Sequence, residues 1–197
     1  SAPSPWRRPN CLACAAAAPQ TGATLAGVAA ALNAGDSDTV PLATAALSAP
    51  GLTRADRAQL FLDRGLAHEQ RGDRDVALAD FTAAIGMHAL TPLAQARGLF
   101  ARGVTLDGLN RTGDAMADYT AAIRVSPKFA PALNNRANIW RRRGDMAAAR
   151  RDYLAALAAI NLHPEFSYFG LGQIAETRGD KTAALGFYTQ AVAANPA

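Results

Sequence analysis

Aromatic side chains are scarce: Phe, Trp and Tyr make up only 7% of this chain. That excludes a thick core built on large rings and points to thin elements packed closely. Cysteine is scarcer still, with one pair, Cys11 and Cys14. A structural zinc site needs about four ligands, and no second pair exists. Haem attachment needs a histidine directly after the pair, where Ala15 stands. A thioredoxin-like site needs a βαβ setting, which is absent. The three histidines, His68, His88 and His163, fall at unrelated places. No glycine-rich phosphate loop, nucleophile elbow or paired-histidine motif occurs. No catalytic residue, cofactor or metal is therefore expected, and the chain reads as a non-enzyme. No run approaches the roughly 20 apolar residues that span a bilayer. The net charge of +4 is mildly basic, below the bias of a dedicated nucleic-acid binder.

What the chain does have is alanine, and a period. Ala77–Phe81, Ala115–Tyr119, Ala149–Tyr153 and Ala184–Tyr188 each place a ring four residues after an alanine. Ala84, Ala122, Ala156 and Ala191 follow three residues after each ring. Ile85, Ile123, Leu157 and Val192 come next. Twelve residues before each first alanine stand Gly65, Gly103, Ala137 and Gly172. The rings are separated by 38, 34 and 35 residues. A fixed period of this size means stacked supersecondary units.

Each unit reads as two helices and a tight turn. In the third, Leu133, Ala137 and Trp140 share one helix face. Gly144-Asp145 stops that helix, as Gly72-Asp73 and Gly179-Asp180 stop theirs. Asn110-Arg111 replaces Gly-Asp in the second unit, and asparagine tolerates the same backbone region. Thr91-Pro92 and His163-Pro164 open helices.

The pattern resembles the tetratricopeptide repeat family over residues 54–197. The resemblance rests on Phe61, Leu99, Leu133 and Tyr168, on the small residue four later, on Gly-Asp, and on Ala, Phe/Tyr, Ala. Pro196 stands where that family usually ends a repeat. It implies an all-α fold: a right-handed α–α superhelix of about four helix pairs plus a degenerate N-terminal capping pair. The units span 54–90, 91–127, 128–163 and 164–197 within an array of 51–197. Residues 21–50 read as the capping pair, with Gly35-Asp36 at its break. Residues 1–20 read as a proline-rich arm carrying Cys11 and Cys14, with Trp6 able to tie it down. Extra residues near Gly86-Met87-His88 and after the third unit lengthen two connections.

The resemblance also implies where a partner binds. In such proteins the first helix of each pair lines a concave groove that holds a peptide or helix. The matching positions include Arg97, Phe100 and Val104; Asn134, Asn138, Arg141 and Arg142; and Phe166, Phe169 and Gln173. Asn135 lies at a position some relatives also use. Asn134 and Asn138 are one helical turn apart, and an amide both donates and accepts. Aromatic and arginine residues are typical interface anchors. A partner protein or peptide with apolar and acidic residues is expected. The alternative reading packs the phenylalanines between repeats and leaves the asparagines solvated. Leu62 and Phe100 stand where the family's carboxylate clamp has lysines, so that ligand is not expected.

Arg141, Arg142 and Arg143, with Arg136, Arg150 and Arg151, form the densest basic patch. It offers a second reading, a nucleic acid or other polyanion bound through Arg141–Arg143, against a solvated face offset by Asp145 and Asp152. Asp80, Asp118 and Asp152 recur in phase and read as a solvated or helix-pairing column. An uncovered last helix offers a third reading, self-association. The start at Ser1 reads as a processed or trimmed chain. Cys11 and Cys14 are a candidate disulfide, of local effect across so short a loop. Together with alanine-rich composition they suggest a bacterial envelope or secreted protein, with the cytoplasm as the alternative.

Overall fold

The computed structural model describes residues 24–159 and 161–195. Cys11, Cys14, Trp6 and Pro196 lie outside them. Ten α-helices and no strand occur among the described residues: α1 Leu25–Ala34, α2 Thr39–Leu47, α3 Arg54–Arg71, α4 Arg74–Gly86, α5 Pro92–Gly108, α6 Thr112–Val125, α7 Ala130–Arg142, α8 Met146–Leu157, α9 Pro164–Thr177 and α10 Lys181–Ala194. They fall into five consecutive pairs. None is long and apolar enough to cross a membrane.

Local chemistry sets the helix ends. Thr53 caps α3 through a reciprocal capping box with Asp56. Asp145 and Asp180 cap α8 and α10 by accepting from Ala148 and Ala183. At the end of α3, Gly72 takes φ +84° and Asp73 donates back to His68. That closure needs a left-handed residue, and Asn110 supplies it in the second unit at φ +62°.

Each helix packs on its pair-mate, and each second helix packs on the first helix of the following pair. Among the described residues the principal helix contacts stay within a pair or join neighbouring pairs, so the fold is an α–α solenoid. Phe81, Tyr119 and Tyr153 are fully buried between the layers. They fit because small residues face them. A Cβ on Gly65 would lie 2.7 Å from Phe81, and one on Gly103 2.7 Å from Tyr119. The third unit shares its space differently. Ala137 occupies that position, and Gly170 of the next helix yields instead: its Cβ would meet Tyr153 Cζ at 2.2 Å.

Between the helices of a pair runs a repeated ion pair. Arg64 grips Asp80 with Nε and Nη2 at 2.8 and 2.7 Å. Arg102 grips Asp118 at 2.8 Å through both nitrogens. Arg136 grips Asp152 at 2.7 and 2.9 Å. The carboxylates are buried, and these two-pronged bonds are the strong geometry for such a pair. The phased aspartates are thus a helix-pairing column. Arg136 is correspondingly removed from the basic patch: its guanidinium is spent on Asp152. Sequence reading missed the arginine standing sixteen residues before each aspartate. In the fourth unit Leu171 and Phe187 hold the two positions and pack in one apolar cluster.

Candidate partner-binding surface

The first helices α5, α7 and α9 carry the side chains expected to face a partner. The structure separates those residues into two groups. Phe100 packs edge-on against Phe129 with centroids 5.6 Å apart and lies 5.9 Å from Tyr119. Val104 joins the same half-buried cluster. Asn134 is 6% exposed, and its amide oxygen accepts from the Ser167 hydroxyl at 2.6 Å. These three are seams between successive units rather than free binding groups. The cause is the neighbouring first helix, which presses against that column.

The asparagines therefore work as internal partners of tyrosine and serine. Asn135 donates to the Tyr119 hydroxyl at 3.4 Å. Asn138 Oδ1 accepts from the Tyr153 hydroxyl. Burial pushes the Tyr119 hydroxyl up to about 12, partly opposed by the bond from Asn135. Burial also raises Tyr153, and Arg141, by hydrogen bonding towards the hydroxyl and by its charge, works against that rise. The sign follows from linkage. An unfolded tyrosine loses its proton near 10, while the folded Tyr119 keeps it to about 12. Stability is therefore lost as pH rises through that window. Thermal melting between those pH values should fall less steeply for Tyr119→Phe than for the wild type. An unchanged slope would mean that the hydroxyl is not buried as described.

The second group stays at the surface. Arg97 is exposed, close enough to Asp63 for its charge to stabilise that carboxylate. Burial is the larger influence on Asp63 and raises it, while Gln59 donates to it at 2.8 Å. Arg142 crosses from α7 to α5 and places Nη2 at 2.9 Å from both oxygens of Asp107. Thr112 donates to the same carboxylate at 2.9 Å. Arg141 is half-buried beside Asn138 and Tyr153, and its Nε has no hydrogen-bond partner among the described residues. Gln173 is half-buried on α9. Phe166 and Phe169 are 60% and 52% exposed, the latter 5.6 Å from the Tyr188 ring.

Paired helices stacked in register define a helical-repeat scaffold. Tetratricopeptide repeat models match residues 62–106, 100–164 and 167–197. The chain belongs to the tetratricopeptide repeat family, whose members are typically non-enzymatic protein-interaction scaffolds. No significant match was found among curated proteins. Among solved structures, MamA aligns at TM-score 0.67 and 15% identity, covering 85% of this chain and 93% of MamA. BtubC (BKLC) from P. vanneervenii aligns at 0.71 and 14%, covering 85% and 76%. YrrB, described as a TPR protein with an unusual peptide-binding site, aligns at 0.64 and 13%, covering 87% and 84%. At these identities the likeness shows the fold.

Proposed function

We propose that the chain is an adaptor that holds an acidic segment of a partner protein against the inner side of α7 and α9. The observation that carries this is Arg141. A guanidinium nitrogen buried without a partner is costly. The guanidinium as a whole is half-buried and has no carboxylate paired with it among the described residues, so a partner's carboxylate at its terminal nitrogens would supply the missing counter-charge. Phe166, exposed in the first turn of α9, offers an apolar contact further along the same segment. YrrB, with its peptide-binding site, supports a peptide ligand by analogy of fold alone.

The polyanion reading is weaker on geometry. Arg136 is committed to Asp152, and Arg142 to Asp107. Two arginines of the patch are thus already paired, which favours one carboxylate at Arg141 over a continuous phosphate backbone.

A random peptide array probed with the full chain tests the reading. Sequences joining an acidic residue to an aromatic or aliphatic one should be enriched. Arg141→Ala should weaken the best of them by about tenfold or more, as expected for a lost charge-assisted bond. Asn138→Ala is a poorer probe, because it also strips the Tyr153 hydroxyl of its acceptor. The reading fails if enriched peptides lack acidic residues, or if Arg141→Ala binds them unchanged.

A further inference from the structure

The last pair presents an apolar face whose counterparts at the Phe169 and Val192 positions are buried or half-buried in the earlier units. On α10, Leu185 and Val192 are 69% and 72% exposed, and on α9 Phe169 is 52% exposed. One and three units earlier the Phe169 column is shut. Leu62 is 1% exposed beneath Gly98 of the following first helix, and Asn134 is 6% exposed beneath Ser167. The Val192 column behaves likewise: Ile85 lies 3.5 Å from where a Gly98 Cβ would sit.

The covering helix follows a rule. It brings a small residue (Gly98, Ala132, Ser167) and a second short one three places later (Ala101, Asn135, Gly170). The next residue matches the side chain after the ring beneath it. Over Thr82 and Thr120 it is arginine: Arg102 and Arg136 each donate Nη1 to the threonine hydroxyl at 3.3 Å, and in α3, where Leu60 and Asp63 replace the small residues and Ala43 the ring, Arg64 makes the same bond to Thr44 at 3.2 Å. In α9 it is Leu171, which joins the cluster around Tyr153, while Leu154 stays 39% exposed. After Tyr188 the chain returns to threonine. Thr189 is exposed, and its hydroxyl turns back to its own helix, donating to the Leu185 carbonyl at 2.9 Å.

We propose that the α9–α10 end face docks a partner helix of the form small-x-x-small-Arg, seated as α5 and α7 sit on the units before them. The arginine reaches Thr189, and the small residues admit Phe169, Tyr188 and Val192. A second copy of this chain is a poorer occupant. Its α1 would place Ala26 and Gly27 in the last two columns, with no arginine. The proposal does not depend on the groove, and Arg141→Ala leaves it intact.

The probe is a peptide of the α5 sequence, residues 92–108, held helical by a lactam staple away from Gly98, Ala101 and Arg102. It should bind the full chain. Thr189→Ala should weaken it by about tenfold, while an Arg102→Ala version of the peptide should bind both proteins alike. A stapled α9 peptide, carrying Leu171 in that column, should instead prefer a Thr189→Leu protein. Val192→Glu should abolish binding of every peptide. The proposal is overturned if the α5 peptide fails to bind at millimolar concentration, ignores Thr189→Ala, or still binds Val192→Glu. It is also overturned if the chain alone dimerises in sedimentation and Ala26→Glu makes it monomeric, because a second copy then fills the face.

Discussion

Gly170→Ala should destabilise the protein by about 2–3 kcal/mol, the cost of overpacking a closed contact. The added methyl would stand 2.2 Å from Tyr153 Cζ and 2.6 Å from both flanking ring carbons. The ring has nowhere to retreat. It is fully buried, backed by Ala137 and Ala149, and its hydroxyl is bonded to Asn138. The same substitution at Gly113, which faces open space within α6, should do the reverse. It should gain up to about 1 kcal/mol from helix propensity alone. Urea unfolding followed by circular dichroism measures both. Hydrogen exchange should locate the damage of Gly170→Ala at the α8–α9 seam, since a linear array opens locally. Equal stability of the two variants would falsify the seating of Tyr153 against α9.

The buried arginine–aspartate column gives the second large effect. Asp152→Ala leaves Arg136 partly buried with no counter-charge and should cost about 3 kcal/mol. Thr120, its other partner, offers a single neutral hydroxyl at 3.3 Å and does not replace a carboxylate. The double change Arg136→Leu with Asp152→Phe should recover most or all of that loss. Well-packed apolar replacements of buried pairs are often neutral or stabilising by about 1–4 kcal/mol. The chain already contains this exchange at Leu171 and Phe187, which pack together in the fourth unit. Urea midpoints of the single and double variants form the comparison. If the double variant is as weak as Asp152→Ala, the column at unit three is not interchangeable with that of unit four.

Much of the fold was legible because its constraints are local and recur. Alanine four before each ring, a small residue on the facing helix and a left-handed stop each act within about one unit of chain. Four repetitions in phase made the pattern plain. Gly72 and Asn110 took the expected backbone because few residues do so cheaply. The ion pairs were half legible. The aspartate column was visible, but Arg64 and Arg102 were missed and Arg136 was read as part of a surface patch.

The candidate site was less legible. Phe100 and Val104 on α5, Asn134 and Arg141 on α7 and Gln173 on α9 hold equivalent positions of the first helices, so the repeat spacing alone groups them. The following first helix divides these positions, sealing one column and leaving the other open. Phe169 escapes only because no described helix lies over it.

By itself the sequence determined the paired helices, their turns and the order of stacking, since each depends on residues close in the chain. The tertiary structure alone decided which polar groups remained free. Arg136, Asn134 and Asn138 found partners on other helices, and Arg141 kept an unpaired nitrogen. Burial and pairing are set by neighbours 15 to 33 residues away, a separation at which helical periodicity carries no directional information.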